Sequence, residues 1–165
     1  MTFIRLKKRT TKTKENFYAY LVHNTWKKNL PKQKVSLYLG RYYKLESKQT
    51  NIILPKHKNI LISLLKKELL SHNFKEQKNL FIHPNDIIVN LNKREVLNKS
   101  NKNSVCIGLN QGFLCSYTLK KLLNFKHNLK NKKESSKILI RLLLDAGIKP
   151  DKEQYLEVFN KLKLF

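Results

Sequence analysis

Two stretches near the start of the chain, residues 17–23 and 33–43, constrain its fold more than any other feature. Both are rich in aromatic and aliphatic side chains, and in the second these alternate with polar ones. Runs of this kind are typical of β-strands. Between them lies a segment with one proline and three lysines, residues 26–32. The pattern predicts an antiparallel hairpin whose connection is a basic turn.

A further strand is predicted just before this hairpin. Residues 3–9 alternate and contain good strand formers, and residues 10–16 have the composition of a turn. In the strand after the basic turn, alternation places Val35, Leu37 and Leu39 on the side that faces the core. Gly40 interrupts the alternation, which predicts a bulge or a bend there.

The middle of the chain is predicted to mix helix and strand. Apolar residues recur every three or four positions in residues 55–72, which predicts an amphipathic helix that starts near Pro55. Two short apolar runs, residues 86–91 and 105–109, are predicted strands that form either a second hairpin or an addition to the first sheet. Ser116 is the predicted N-cap of the next helix.

The last thirty residues are predicted to form a helical hairpin. Ser135 or Ser136 opens its first helix, and Gly147 ends it in the left-handed conformation that glycine favours at a helix C-terminus. Asp151 is the predicted N-cap of the final helix, with Gln154 at the position that completes a capping box.

These segments together predict an α+β fold. It consists of an N-terminal antiparallel β-sheet of three strands with one or two added, three to four helices, and the C-terminal helical hairpin. We divide the chain into a basic β-rich module at residues 1–50, a basic α+β region at 51–134 and the helical hairpin at 135–165.

The charge is large and unevenly distributed. The chain has a formal net charge of +24, and 41% of its 165 residues are hydrophobic, which is enough for a folded core. Residues 1–50 hold 13 Lys+Arg against 2 acids, residues 51–134 hold 16 against 5, and residues 135–165 hold 6 against 4. Drift of an AT-rich genome toward lysine codons accounts for part of the lysine excess but not for the scarcity of acids. We therefore expect a polyanion as partner.

The N-terminal strands and their basic turn combine rings that can stack on bases with cations that can neutralise phosphates. The alternative is that these tyrosines are ordinary strand residues over a small core. The candidate nucleic-acid-binding residues are Arg5, Lys7, Lys8, Arg9, Tyr18, Tyr20, Trp26, Lys27, Lys28, Lys32, Lys34, Tyr38, Arg41, Tyr42 and Tyr43. Further along the chain, the supporting basic residues are Lys56, Lys58, Lys66, Lys67, Lys93, Arg94, Lys120 and Lys121.

Signatures of catalysis and of cofactor binding are missing from the sequence. The five histidines show no metal-ligand spacing, the four glycines form no phosphate loop, and the aspartates suggest no metal-binding trio. Cys106 and Cys115 stand nine residues apart and suggest neither a zinc site nor a disulfide scaffold. We expect a protein without enzymatic activity, cofactor or metal, and no apolar run approaches the roughly 18 residues of a membrane span.

Four short motifs in the first 45 residues resemble the N-terminal segment of transposases of the IS1634 type in the IS4 group. They are Phe-Ile-Arg at 3–5, Tyr-Ala-Tyr-Leu-Val at 18–22, Gln-Lys-Val at 33–35 and Tyr-Leu-Gly-Arg at 38–41. The block also resembles the start of short archaeal proteins that have no transposase body. The resemblance implies a β-rich nucleic-acid-contacting module without the catalytic domain of the transposases.

The function expected from the sequence is non-catalytic binding of DNA or RNA through the lysine- and tyrosine-rich hairpin. Two alternatives stay open: a structural or associated protein of the ribosome or another ribonucleoprotein, and an accessory factor or remnant of a mobile element. All three imply a cytoplasmic protein associated with the nucleoid or with ribosomes, with no membrane partner.

Overall fold

The computed structural model describes residues 2–11, 14–27, 30–48, 52–55, 57–126 and 131–162. In these residues the chain forms nine strands and four helices. Their order is β1 (Thr2–Thr10), β2 (Glu15–Lys27), β3 (Leu30–Lys44), α1 (Ile60–Ser71), β4 (Lys75–Gln77), β5 (Leu80–His83), β6 (Ile87–Asn90), β7 (Glu95–Asn98), β8 (Val105–Leu109), β9 (Gly112–Leu114), α2 (Ser116–Leu123), α3 (Lys132–Asp145) and α4 (Lys152–Lys161).

The first sheet has five strands in the order β1-β2-β3-β8-β9. The three N-terminal strands are antiparallel, as predicted, while β8 joins β3 in parallel and β9 returns antiparallel to β8. Gly40 allows β3 to pass the segment that enters β8. Its φ is +117°, and a Cβ at this position would lie 2.0 Å from the carbonyl oxygen of Ser104. Any other residue would clash with backbone there and would be strained.

A second sheet contains β4, β5, β6 and β7 in chain order, and of these four strands only β6 was predicted. Its strands have three or four residues, and its tight turns use positive φ at Lys78, Asp86 and Arg94. The two apolar runs predicted as strands therefore lie in different sheets. Of the two alternatives, residues 105–109 are the addition to the first sheet, whereas residues 87–90 belong to the second.

The starts of the first two helices differ from the predicted ones. Helix α1 begins at Ile60 and not near Pro55, because the Asn59 side chain caps it by accepting from the Leu61 amide at 2.9 Å. Cys115, and not Ser116, is the N-cap of α2. The Ser116 hydroxyl instead accepts from the Val96 amide at 2.9 Å and ties this helix to the second sheet.

The two C-terminal helices are bounded largely as predicted. Helix α3 begins at Lys132, earlier than expected, because Asn131 caps it through the Glu134 amide. At its end Gly147 has a φ of +74°, and the Ile148 amide donates back to Leu143, so the predicted glycine stop is confirmed. The predicted capping box that opens α4 is confirmed as well. The two helices pack on different neighbours, α3 on α2 and β9, and α4 on α1.

Buried apolar side chains form two clusters on the two sides of the first sheet. The larger extends from Leu45 to Val158 and includes the inward face of α1 and the second sheet. The smaller contains Ala19, Leu21 and Leu39 of the N-terminal strands together with the two cysteines. The architecture is the predicted α+β fold, with a three-stranded N-terminal sheet extended by two strands and with four helices in the described residues.

The prediction that Val35 and Leu37 face the core is wrong, although Leu39 is buried. Their side chains are 44% and 47% exposed. Among the described residues, β8 pairs with β3 only from Arg41 to Lys44, so the part of β3 that carries Val35 and Leu37 has no strand on its other side. Two register shifts between β2 and β3 further break the simple alternation.

Candidate nucleic-acid interface

One face of the N-terminal strands carries alternating tyrosines and cations because of the strand register. Arg5 pairs with Tyr20 and Lys7 with Tyr18 between β1 and β2. Between β2 and β3, Tyr20 pairs with Tyr38 and Tyr18 with Arg41. Cross-strand partners point to the same side of a sheet. We name this surface the tyrosine face, and its members are Arg5, Lys7, Arg9, Tyr18, Tyr20, Tyr38, Arg41 and Tyr43.

The rings of the tyrosine face are close enough to form a continuous aromatic surface. The Tyr38 ring centroid lies 5.3 Å from that of Tyr20 and 6.4 Å from that of Tyr18, with tilted planes. Tyr38 is 50% exposed and stands at the centre of the three. Burial raises the pKa of the Tyr38 phenol, and the neighbouring Tyr20 and Tyr18 raise it further, so the ring is uncharged at neutral pH.

Each of three cations lies over a tyrosine ring. The Lys7 Nζ is 5.2 Å from the Tyr20 centroid, and the Arg9 Cζ is 5.4 Å from the Tyr18 centroid. The third is Arg41, whose Cζ is 5.2 Å from the ring of Tyr43. Cation–π contacts of this length hold long side chains in place without neutralising their charge.

The tyrosine-face cations have no carboxylate partner among the described residues. Arg41 donates to Asn16 Oδ1 at 2.6 Å, and Arg5 donates to Gln33 Oε1. Both acceptors are neutral amides, so they orient the guanidinium groups and leave their charge uncompensated. The sequence analysis did not identify Asn16 or Gln33, because their role depends on cross-strand pairing that only the register reveals.

Tyr42 and Lys8 lie on the opposite side of the sheet from the tyrosine face. The Tyr42 ring packs edge to face on Phe113 at 5.9 Å and belongs to the smaller core cluster. Burial raises the pKa of its phenol, and Cys106 raises it further. Lys8 pairs with Phe17 in the register and forms an exposed ion pair with Glu15 at 2.5 Å. The structure therefore separates these two predicted residues from the others.

The predicted basic turn is mostly strand. Trp26 and Lys32 lie within β2 and β3, the backbone of Lys27 closes β2, and Lys34 lies deeper in β3. Lys28 falls outside the described residues. We name residues 24–27 and 30–33 the β-arm, because they pair with each other beyond the last β1 pair. Trp26 is 76% exposed and Lys32 is exposed, so the arm presents a ring and a cation to solvent.

The supporting basic residues differ in whether their charge is already compensated. Lys66 pairs with Glu76 at 2.6 Å and Lys67 with Asp151 at 3.5 Å, which compensates their charge. Arg94 donates to Asn124, and the Lys121 Nζ lies over the Tyr117 ring. Lys58, Lys93 and Lys120 are exposed, and Lys56 is not among the described residues.

Neither a metal centre nor a membrane-spanning helix is found in the described part of the chain. No three His, Cys, Asp or Glu side chains there come together as metal ligands. No helix there is both long enough and apolar enough to cross a bilayer. Comparisons with protein-family models, with curated proteins and with solved structures gave no significant match to this chain.

Proposed function

We propose that this protein binds nucleic acid without catalysis, through the tyrosine face. The observation that carries the proposal is the row of cations over partly exposed tyrosine rings. Among the described residues, none of these cations has a carboxylate partner. The bases and the phosphates of a nucleic-acid strand both match this arrangement, because bases stack on aromatic rings and phosphates attract cations.

The tyrosine face fits unpaired nucleotides better than a duplex. Rings on a sheet can stack on a base only when that base is exposed, and the bases of a duplex are stacked within it. Phosphates carry no sequence information, and the arginine and lysine side chains over the rings are suited to contact phosphates, so we propose weak sequence specificity. DNA and RNA both satisfy these requirements.

The β-arm favours a ribonucleoprotein as the second candidate. An isolated two-stranded ribbon is only marginally stable in water, and here it carries Trp26 and Leu30 at 76% and 69% exposure. Such an arm gains contacts when it packs along a folded RNA. A role in a mobile element rests only on the resemblance of the first 45 residues.

The stacking half of the proposal is tested by Tyr38→Ala. We expect affinity for single-stranded oligonucleotides to fall by about 1 to 3 kcal/mol, measured by fluorescence anisotropy, because one stacking ring is lost. Tyr38→Phe retains the ring and serves as the control, with affinity near that of the native chain. Equal affinity of all three proteins would exclude base stacking on this face.

The charge half is tested by the triple variant Lys7→Gln, Arg9→Gln, Arg41→Gln. The slope of log affinity against log salt should become shallower by about 2, at roughly 0.7 per lost phosphate contact on a single strand. The matched control is Lys75→Gln, Lys78→Gln, Lys152→Gln, which removes the same charge from exposed positions outside this face. If both triples change the slope equally, binding reflects net charge and not the tyrosine face.

The ribonucleoprotein candidate is separated by gradient fractionation of cells. Co-sedimentation with ribosomal particles that RNase treatment abolishes would support it. Association with DNA that survives RNase would exclude it and would leave the tyrosine face as a DNA-binding surface.

A further inference from the structure

A cavity of about 370 Å³ lies on the side of the first sheet opposite the tyrosine face. The start of β1, strand β9 and the helices α2 and α3 surround it. Its apolar wall includes Ile4, Leu21 and Leu142, and the rings of Phe113 and Tyr117 line it as well. Ile4, Leu21 and both rings belong to the smaller core cluster or pack against it, which places the cavity next to rigid structure.

Polar side chains of both charges also line this cavity. Lys121 comes from α2, Arg141 and Asp145 come from α3, and Gln111 comes from the turn before β9. Within the described residues, Gln111, Arg141 and Asp145 form no side-chain hydrogen bond or ion pair. Lys121 contacts only a ring, with its Nζ 4.6 Å from the Tyr117 centroid. These groups are therefore free to bind a ligand.

We propose that this cavity, the α2–α3 pocket, binds a nucleotide: an aromatic base with its sugar and phosphate. The two cations attract the phosphate, and charge-assisted hydrogen bonds to phosphate are among the strongest that side chains form. The rings of Phe113 and Tyr117 offer apolar contact for the base. Asp145 and Gln111 accept hydrogen bonds from base amines or sugar hydroxyls.

The mixture of apolar, cationic and acidic groups in the pocket argues against two other anions, a fatty acid and inorganic phosphate. A fatty acid offers no donor to Asp145 and would leave that carboxylate facing an apolar chain, which is costly. Inorganic phosphate alone would leave the apolar wall uncovered. The volume is near the lower end of ligand pockets, which span about 300 to 1,000 Å³, and so suits a single nucleotide.

The nucleotide has two possible sources, a free mononucleotide or the terminal nucleotide of a strand. The probes that distinguish them are AMP, GMP, CMP and UMP on one side, and short single strands with and without a terminal phosphate on the other. Binding is followed by backbone amide NMR shifts of the full chain. We expect shifts at Gln111, Gly112 and Phe113 with saturation by the preferred probe, and weaker saturation by adenosine, which has no phosphate.

The double variant Lys121→Gln, Arg141→Gln tests the phosphate contact. We expect mononucleotide affinity to fall by at least about tenfold, because two charge-assisted contacts are lost. The matched control is Lys120→Gln, Lys133→Gln, which removes equal charge from exposed positions on the same two helices. Preserved amide dispersion shows that both doubles are folded.

Three outcomes would overturn the pocket. They are no shift at the pocket amides with any probe at millimolar concentration, equal weakening by both double variants, and saturation by inorganic phosphate as tight as by the best nucleotide. If the first outcome came with shifts confined to the tyrosine face, the pocket proposal would fail and the proposed strand-binding function would stand. Conversely, mononucleotides could shift the pocket amides while the chain binds no oligonucleotide. That result would support nucleotide binding in the pocket and contradict strand binding by the tyrosine face.

Discussion

Cys106 and Cys115 lie next to each other in the smaller core cluster, although their spacing in sequence suggested no site. Ile107 pairs with Leu114, so the next positions of this antiparallel ladder bring the two cysteines face to face. The Cys106 thiol donates to Cys115, which lowers the pKa of Cys115 to about 6, with help from the Thr118 amide at the start of α2. The same hydrogen bond raises the pKa of Cys106.

This asymmetry predicts a pH-dependent stability. The Cys115 pKa is lowered from 9.0 to about 6 on folding, so its contribution is full above pH 9 and is lost as pH falls to 6. The free energy of unfolding of the native chain, minus that of Cys115→Ser, should therefore grow between pH 6 and pH 9. Urea unfolding at a series of pH values measures it.

Two further variants identify the cause of the shift. Cys106→Ser retains a donor toward Cys115 and should retain the pH dependence, whereas Cys106→Ala removes the donor and should reduce it. A difference that stays constant from pH 6 to pH 9 would mean that Cys115 titrates as an ordinary buried thiol.

At the scale of elements, the β-arm is held by its own ladder and by few side-chain contacts in the described residues. The Thr25 hydroxyl donates to the Lys32 carbonyl at 3.0 Å, and His23 Nδ1 lies 2.6 Å from Ser36 Oγ at the base of the arm. The two large apolar side chains of the arm, Trp26 and Leu30, are largely exposed. This exposure is what supports the proposal that the arm packs along an RNA.

The contribution of the β-arm to binding is predicted through two exposed lysines of β3, Lys32 within the arm and Lys34 at its base. The variant Lys32→Gln, Lys34→Gln should weaken binding of single-stranded oligonucleotides at low salt and reduce the salt slope by about 1.4, at roughly 0.7 per lost phosphate contact. Fluorescence anisotropy at several salt concentrations measures both. Stability should change little, because both side chains are exposed.

The control for the arm is Lys75→Gln, Lys78→Gln, two exposed lysines of the second sheet. A slope unchanged by the arm variant, in a protein that still binds through the tyrosine face, would show that the arm does not touch the backbone. The fluorescence of Trp26, the one tryptophan, gives a second readout, since stacking on a base would quench it.

At the scale of the whole molecule, the N-terminal sheet depends on residues far along the chain. Ala19, Leu21 and Leu39 are buried against Cys106 and Cys115, and β3 continues the sheet through β8. The larger core cluster likewise includes residues from both sides of position 134. The division into residues 1–50, 51–134 and 135–165 stays a prediction, with buried contacts that cross both of its boundaries.

We predict that a fragment of residues 1–50 does not fold alone. Without strand β8 and Cys115, the buried face of its three strands is open to water, and a small sheet needs an apolar partner layer for stability. Its amide NMR spectrum should lack the dispersion of the full chain, and addition of residues 51–165 as a separate chain should restore it. A dispersed spectrum of the fragment alone would establish the autonomous module instead.

Local chemistry was enough to predict many of the elements. Alternation located β1, β2 and β3, helical spacing located α1, and Gly147, Asp151 and Gln154 marked the end of α3 and the start of α4. Short-range rules of this kind work where neighbours along the chain decide the geometry. They fail for β4, β5 and β7 of the second sheet, whose three or four residues are too few to show periodicity.

The sequence by itself determined the composition of the candidate interface: tyrosines and cations in the first 45 residues, with few acids. Only the tertiary structure decided which of them share a surface. Register places Lys7, Arg9 and Arg41 over tyrosine rings but turns Tyr42 into the core, because a shift of one residue moves a side chain to the other face of a sheet. The α2–α3 pocket arises in the same way, from contacts between residues distant in sequence. The two cysteines meet because β8 and β9 pair in a specific register.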